Sequence, residues 1–183
     1  NINNDILKVI NNSIDFKKIY SLADNKINKN YKYKFNNKYI ISVGRLTKQK
    51  NYLFLLEVFS KIVKKYNINL LILGEGEQRN ILEKKIYSLG INDSVFLLGH
   101  IENPYYLMKR AEFFVLTSIY EGMPNVLLEA ASLNLPIIST NCPTGPSEIL
   151  NNGEWGRLID IDDKIQLENA LIDGINGNIK KIP

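Results

Sequence analysis

The chain has one cysteine, Cys142, one histidine, His100, and one tryptophan in 183 residues. A single thiol excludes an intrachain disulfide and a cluster of thiolate metal ligands, and it suits a reducing compartment. A single imidazole excludes a histidine-rich metal site. Long apolar runs are also lacking: none reaches the roughly 18 residues needed to cross a bilayer, and no secretory leader is evident. Strong charge of either sign is missing too. Lys and Arg number 23 against 19 Asp and Glu, a net +4, which can help attract a phosphorylated ligand or an anionic membrane surface but falls short of a nucleic-acid signature. No nucleic-acid partner is expected.

What is present, 45% hydrophobic and 23% charged residues, describes one sizeable domain with a real core. Residues 1–37 are polar and Asn/Lys-rich around one apolar patch, ILKVI, and read as a lead-in segment or linker that could hold one short strand. From residue 38 to 183, short β-rich apolar runs alternate with stretches of helical period, the pattern of βαβ units. The strand candidates are YIISVG (39–44), NLLILG (69–74), SVFLLG (94–99), FFVLTS (113–118), PIIST (136–140) and GRLIDI (156–161). Helical stretches lie at YLFLLEVFSKIVKKY, QRNILEKKIYSLG, PYYLMKRA, PNVLLEAASLN and GPSEILNN. The expected fold is α/β, a doubly wound Rossmann-like parallel sheet of about six strands with helices on both faces. Such sheets bind ligands beyond the carboxyl ends of their strands. Gly44, Gly74 and Gly99 close three successive strands, where a chain leaving a sheet often needs a small residue or a positive φ.

Four loops follow those strands. GRLTKQKN (44–51) clusters Arg45, Lys48 and Lys50 at a strand end; Arg's fork and Lys's compact charge suit a diphosphate, and a solvated basic turn is the plainer alternative. GEGEQRN (74–80) lacks the third Gly of G-x-G-x-x-G, because Arg79 stands there, and it follows the second strand. No dinucleotide site is expected, and either a tight turn or a close backbone approach remains open. In GHIENPYY (99–106) the backbone beside His100 can read the edge of a base. IYEGMPNVLLEA (119–130) holds Glu121 and Glu129 eight positions apart. Carboxylates so spaced serve acid/base chemistry, metal binding or hydroxyl recognition. Pro124, which has no N–H of its own, is suited to a first helical turn, so the backbone of Gly122, Met123 and Asn125 around it would offer N–H groups and partial positive charge to an anion. Periodicity does not put the two carboxylates side by side; they could bracket a ligand.

In order and spacing, SVGRLTKQKN, LLILGEGEQRNILEKKIYSLG, the long stretch from VFLLGHIENPYY to TGPSEIL, and GRLIDIDD resemble the C-terminal half of the retaining glycosyltransferases of glycosyltransferase family 4, whose fold is the two-domain GT-B. The resemblance covers residues 39–171, and VINNSIDFKKI looks like the family's segment arriving from the interdomain linker. Glu121 and Glu129 match the family's E-x7-E motif. The resemblance implies that Arg45 and Lys50 hold the donor diphosphate and that Glu129 binds the ribose hydroxyls. It makes Glu121 face the transferred sugar, and makes Gly44, Gly74, Gly99, His100 and Ile101 part of the donor site with the backbone from Gly122 to Val126. TGPSEI stands where the family often has Gly-Gly-x-x-Glu-Ile, with Thr144 in place of the first Gly.

The implied reaction transfers a sugar from a nucleotide diphosphate sugar, with uridine favoured as the base, to an acceptor hydroxyl with retention, and Arg45, Lys50 and Glu121 are its catalytic candidates. No cofactor or metal is required, the donor being a substrate; DIDD (160–163) reads as a helix cap. An N-terminal domain that binds a glycan or lipid-linked acceptor has no counterpart, nor has a C-terminal crossover helix. The expectation is a fragment that binds donor but transfers little, from a cytoplasmic protein with peripheral contact to the inner membrane. A non-catalytic nucleotide-binding module, or another GT-B enzyme such as a nucleotide-sugar epimerase, stays open as an alternative.

Overall fold

A computed structural model describes residues 12–25 and 38–183. Six parallel strands, β1 (Tyr39–Val43), β2 (Asn69–Leu73), β3 (Val95–Gly99), β4 (Phe114–Leu116), β5 (Ile137–Thr140) and β6 (Arg157–Ile159), form one sheet in the order β3-β2-β1-β4-β5-β6. Their near-continuous apolar composition follows from burial on both faces. Alternation then divides neighbouring residues between two cores. Ile40, Leu70 and Ile72 face helices α2 (Tyr52–Ile62), α3 (Arg79–Leu89) and α7 (Lys164–Ile175). Ile41, Leu71 and Leu73 face α1 (Phe16–Asp24), α4 (Tyr105–Met108), α5 (Asn125–Ser132) and α6 (Pro146–Ile149).

All six expected strands are present, shortened at their ends. β4 stops at Leu116, and the next residue, Thr117, donates from Oγ1 to the Lys50 carbonyl at 2.9 Å. Two helices depart from the expectation. Where the lead-in segment was expected to hold at most a strand, Asp15 caps α1 by accepting from the Lys18 amide at 3.0 Å. Ile19 and Ala23, one turn apart, are buried against the core, so helical period wins over the polar composition around them. The patch ILKVI lies outside the described residues. After β6, α7 is an additional helix: Asp163 accepts from the amides of Ile165 and Gln166, so the DIDD stretch does supply a cap.

β1 lies between β2 and β4, so the connections leaving β1 and β4 run to opposite sides of the sheet. A crevice must open beyond their carboxyl ends. The four loops singled out in the sequence all arrive there.

Candidate functional site

Two adjoining cavities occupy that crevice. One, about 570 Å³, lies beyond β1, β2 and β3 against Gly74, His100, Ile101 and Tyr105. The other, about 360 Å³, lies between the loop after β1 and the start of α5, against Lys50, Glu121 and the stretch Met123 to Val126. Val43, Gly44, Arg45 and Glu129 line both, so the two form one elongated cleft with Arg45 and Glu129 at its waist.

The close packing of the loops after β1 and β2 depends on Gly74. Its φ is +139°, and a Cβ there would sit 2.0 Å from the Gly44 carbonyl oxygen, so only glycine allows the loops after β1 and β2 to cross this closely. The Gly74 amide donates to Gly99 at 2.8 Å and ties in the third loop. On the other side Gly145, at φ +85°, packs where a Cβ would be 2.3 Å from the Gly122 carbonyl oxygen. Thr144, which replaces a family glycine, nonetheless adopts a left-handed conformation at φ +62°. Its hydroxyl donates to the Glu121 carbonyl at 2.7 Å, so the close approach is kept.

Pro124 stands one position earlier than expected. It is the residue before α5, with extended geometry, and the helix begins at Asn125. Of the first-turn amides, that of Leu127 donates to the Pro124 carbonyl at 2.9 Å, while Asn125 and Val126, whose amides have no carbonyl one turn back within the helix, line the smaller cavity. The Asn125 side chain accepts from Asn12 Nδ2 at 2.7 Å, which fastens the lead-in segment to this turn.

The charged groups are unequal in environment. Arg45 is exposed. Lys50 and Glu121 are not: their side chains are 13% and 8% accessible, and Lys50 Nζ lies 2.5 Å from Glu121 Oε1. Ser118 Oγ donates to that same oxygen at 2.6 Å, and Gln49 Nε2 approaches Oε2 at 3.5 Å while donating to the Tyr120 carbonyl at 2.8 Å. Burial pushes the Glu129 carboxyl above the usual carboxylate range, partly offset by a hydrogen bond from Tyr105. Cys142 is buried, and its thiol is pushed up by that burial and by the nearby Glu121. Among the described residues no group of His, Cys, Asp or Glu is arranged to hold a metal ion, and no helix is long and apolar enough to cross a membrane.

Of the donor-site residues singled out in the sequence, all but Gly99 and Gly122 line this cleft; those two are chain neighbours of residues that do, and Lys48 of the basic cluster lines neither cavity. Sequence reasoning missed Gln49, Ser118 and Tyr105. Ser118 carried a signal, since a hydroxyl three residues before a loop carboxylate can reach it. Gln49 and Tyr105 carried none, because their partners are 72 and 24 positions away along the chain.

Known proteins agree with this architecture. The chain is 42% identical over 145 residues to an uncharacterized glycosyltransferase of Methanocaldococcus jannaschii, spanning 78% of this chain and 36% of that one. Over 168 residues it is 33% identical to the N-acetylgalactosamine-N,N'-diacetylbacillosaminyl-diphospho-undecaprenol 4-alpha-N-acetylgalactosaminyltransferase of Campylobacter jejuni, covering 92% of this chain and 43% of that protein. It therefore spans less than half the length of these curated relatives. Among solved structures, the lipopolysaccharide outer core galactosyltransferase WaaB superposes with a TM-score of 0.71 at 26% identity, over 81% of this chain and 43% of its own. A mutant of S. aureus TarM in complex with Fondaparinux, alpha-GlcNAc-glycerol and UDP gives 0.74 at 25% identity, over 84% of this chain and 31% of its own. Residues 24–181 match the family described as glycosyl transferases group 1, and the chain belongs to that family.

Proposed function

We propose that this chain is the donor-binding half of a retaining glycosyltransferase that moves a hexosyl group from a UDP-sugar to an acceptor hydroxyl in surface polysaccharide or lipid-linked glycan assembly. The observation that carries the reading is the two-part cleft with a cation and a carboxylate at its waist. Its larger lobe suits a nucleoside: the backbone of His100 and Ile101 would meet the base edge and Glu129 the ribose hydroxyls. A diphosphate would then cross the waist beside Arg45 and reach Lys50 and the amides of α5. The sugar would occupy the smaller lobe, facing Glu121.

Negative charge develops on the leaving phosphate in such a transfer, and donors aimed there lower the barrier. Arg45, Lys50 and the α5 terminus could supply that stabilisation without a metal ion or a resident cofactor. UDP as the carrier draws support from the TarM structure, which contains it. Lipid-linked glycan as the acceptor draws support from the Campylobacter relative, whose name specifies a diphospho-undecaprenol glycan. The acceptor would be held by a further part of a longer protein working at the cytoplasmic face of the membrane. This chain by itself would bind donor and transfer little.

Calorimetric titration of the chain with UDP, GDP, ADP and uridine, with and without EDTA, tests the reading. Metal-independent binding of one nucleoside diphosphate is expected, and Glu129→Ala should weaken it by about 1–3 kcal/mol, the cost of leaving hydroxyls unpartnered. Unchanged affinity in a folded Glu129→Ala chain would remove Glu129 from the ribose.

A further inference from the structure

The contact between Lys50 and Glu121 raises a problem for the donor site just proposed, on which this inference rests. The group assigned to the diphosphate and the group assigned to the sugar neutralise one another, 2.5 Å apart and almost wholly out of solvent. Neither charge could be left alone in so dry a place without a large penalty. A diphosphate cannot take Lys50 unless Glu121 keeps other partners.

Those partners are present. Ser118 is fully buried, and its hydroxyl donates to Glu121 Oε1 at 2.6 Å. Its carbonyl accepts from Thr140 Oγ1 at 2.6 Å, which fixes it from β5. Gln49 reaches Oε2 at 3.5 Å and is anchored on the Tyr120 carbonyl at 2.8 Å. Both belong to segments joined to each other, because the Ile119 amide donates to the Gln49 carbonyl at 2.8 Å.

We propose that Glu121 is the internal counter-ion of the donor-free site, occupying on Lys50 the place of the donor's diphosphate, and that Ser118 and Gln49 are positioning residues that hold its carboxylate once the diphosphate has taken Lys50. The exchange keeps Lys50 paired throughout. It frees the face of Glu121 toward the smaller cavity only when a donor is present. Donor affinity is reduced by the work of opening the pair.

The test compares UDP and uridine binding to the wild-type chain, Glu121→Gln and Ser118→Ala by calorimetry. Glu121→Gln keeps the shape and accepting oxygen but weakens the competing charge, so UDP should bind about tenfold more tightly, with uridine unchanged. Ser118→Ala removes a donor that Glu121 needs after the exchange, so UDP should bind several-fold more weakly, again with uridine unchanged; a merely structural role would weaken both. A wild-type chain that binds UDP while Glu121→Gln binds it equally or more weakly overturns this inference alone. A wild-type chain that binds no nucleoside diphosphate overturns the donor-site reading, and this inference with it. Should Glu121→Gln fail to fold, a crystal structure of the wild-type chain with UDP decides. Lys50 Nζ on a phosphate oxygen, with Ser118 still on Glu121, is the expected result, and Lys50 still on Glu121 with the phosphates elsewhere is the contrary one.

Discussion

Glu129 sits in surroundings that favour its neutral form. Burial raises its folded pKa above that of the unfolded chain, and the Tyr105 hydrogen bond offsets only part of the rise. Between the two values the folded protein carries a proton that the unfolded chain has lost, so stability is present below the ordinary carboxylate range and declines as pH rises through the folded pKa. Glu129→Gln should therefore be more stable than wild type at pH 7, by less than about 1 kcal/mol because the carboxyl is only partly buried and solvent screens it. Urea unfolding from pH 7.5 down to about 4 should show the gain vanish. Arg45, exposed at the waist of the cleft, differs: Arg45→Ala should leave the fold and uridine binding intact, while the extra affinity of UDP over uridine and its salt dependence decline in titrations at two salt concentrations. Arg45, Lys50, Glu121 and Glu129 could be singled out because they follow the carboxyl ends of strands, where open α/β sheets bind ligands. The pairing of Lys50 with Glu121 was not, since 71 positions separate them.

Among the elements, α7 shows how packing can overrule local preference. Gly174 lies inside this helix, where alanine would be favoured by about 1 kcal/mol on propensity. A Cβ at that position would stand 2.7 to 2.9 Å from the ring of Phe113, itself fully buried. A rigid ring in a filled core cannot yield, and overpacking of this kind costs about 1–3 kcal/mol. Gly174→Ala should thus destabilise the chain despite improving the helix, a lowered urea midpoint with unchanged m-value being the expected result. The strands were legible because each is a bounded apolar run. Helices α1 and α7 were harder, as each buries a narrow stripe, Ile19 and Ala23 in one, and Leu167, Ala170, Leu171 and Gly174 in the other, within otherwise polar sequence.

At the scale of the whole molecule, the cleft is assembled from loops held by one sheet, so a ligand that spans it ties the β1 loop, the β3 loop and α5 together. Under the proposed function UDP should stabilise the folded chain by about 2.7 kcal/mol at a concentration one hundred times its Kd. For a domain of this size that corresponds to a rise of about 5–10 °C in Tm. A thermal scan with UDP against one with uridine at equal concentration checks it, uridine giving the smaller shift because it reaches only one lobe.

The sequence by itself determined the sheet, its doubly wound character and the loops at the carboxyl ends of its strands, because these follow from local periodicity and from where charged and glycine residues interrupt it. It also carried the spacing of Glu121 and Glu129 without saying what either carboxylate faces. Tertiary structure decided that Glu129 lines both lobes of the cleft and is pushed toward its neutral form, while Glu121 lies against Lys50 with Ser118 and Gln49 on its oxygens. Two identical side chains eight positions apart acquire different partners, brought in by other strands. The energy of a carboxylate depends on what surrounds it in space, and order along the chain records only its neighbours in sequence.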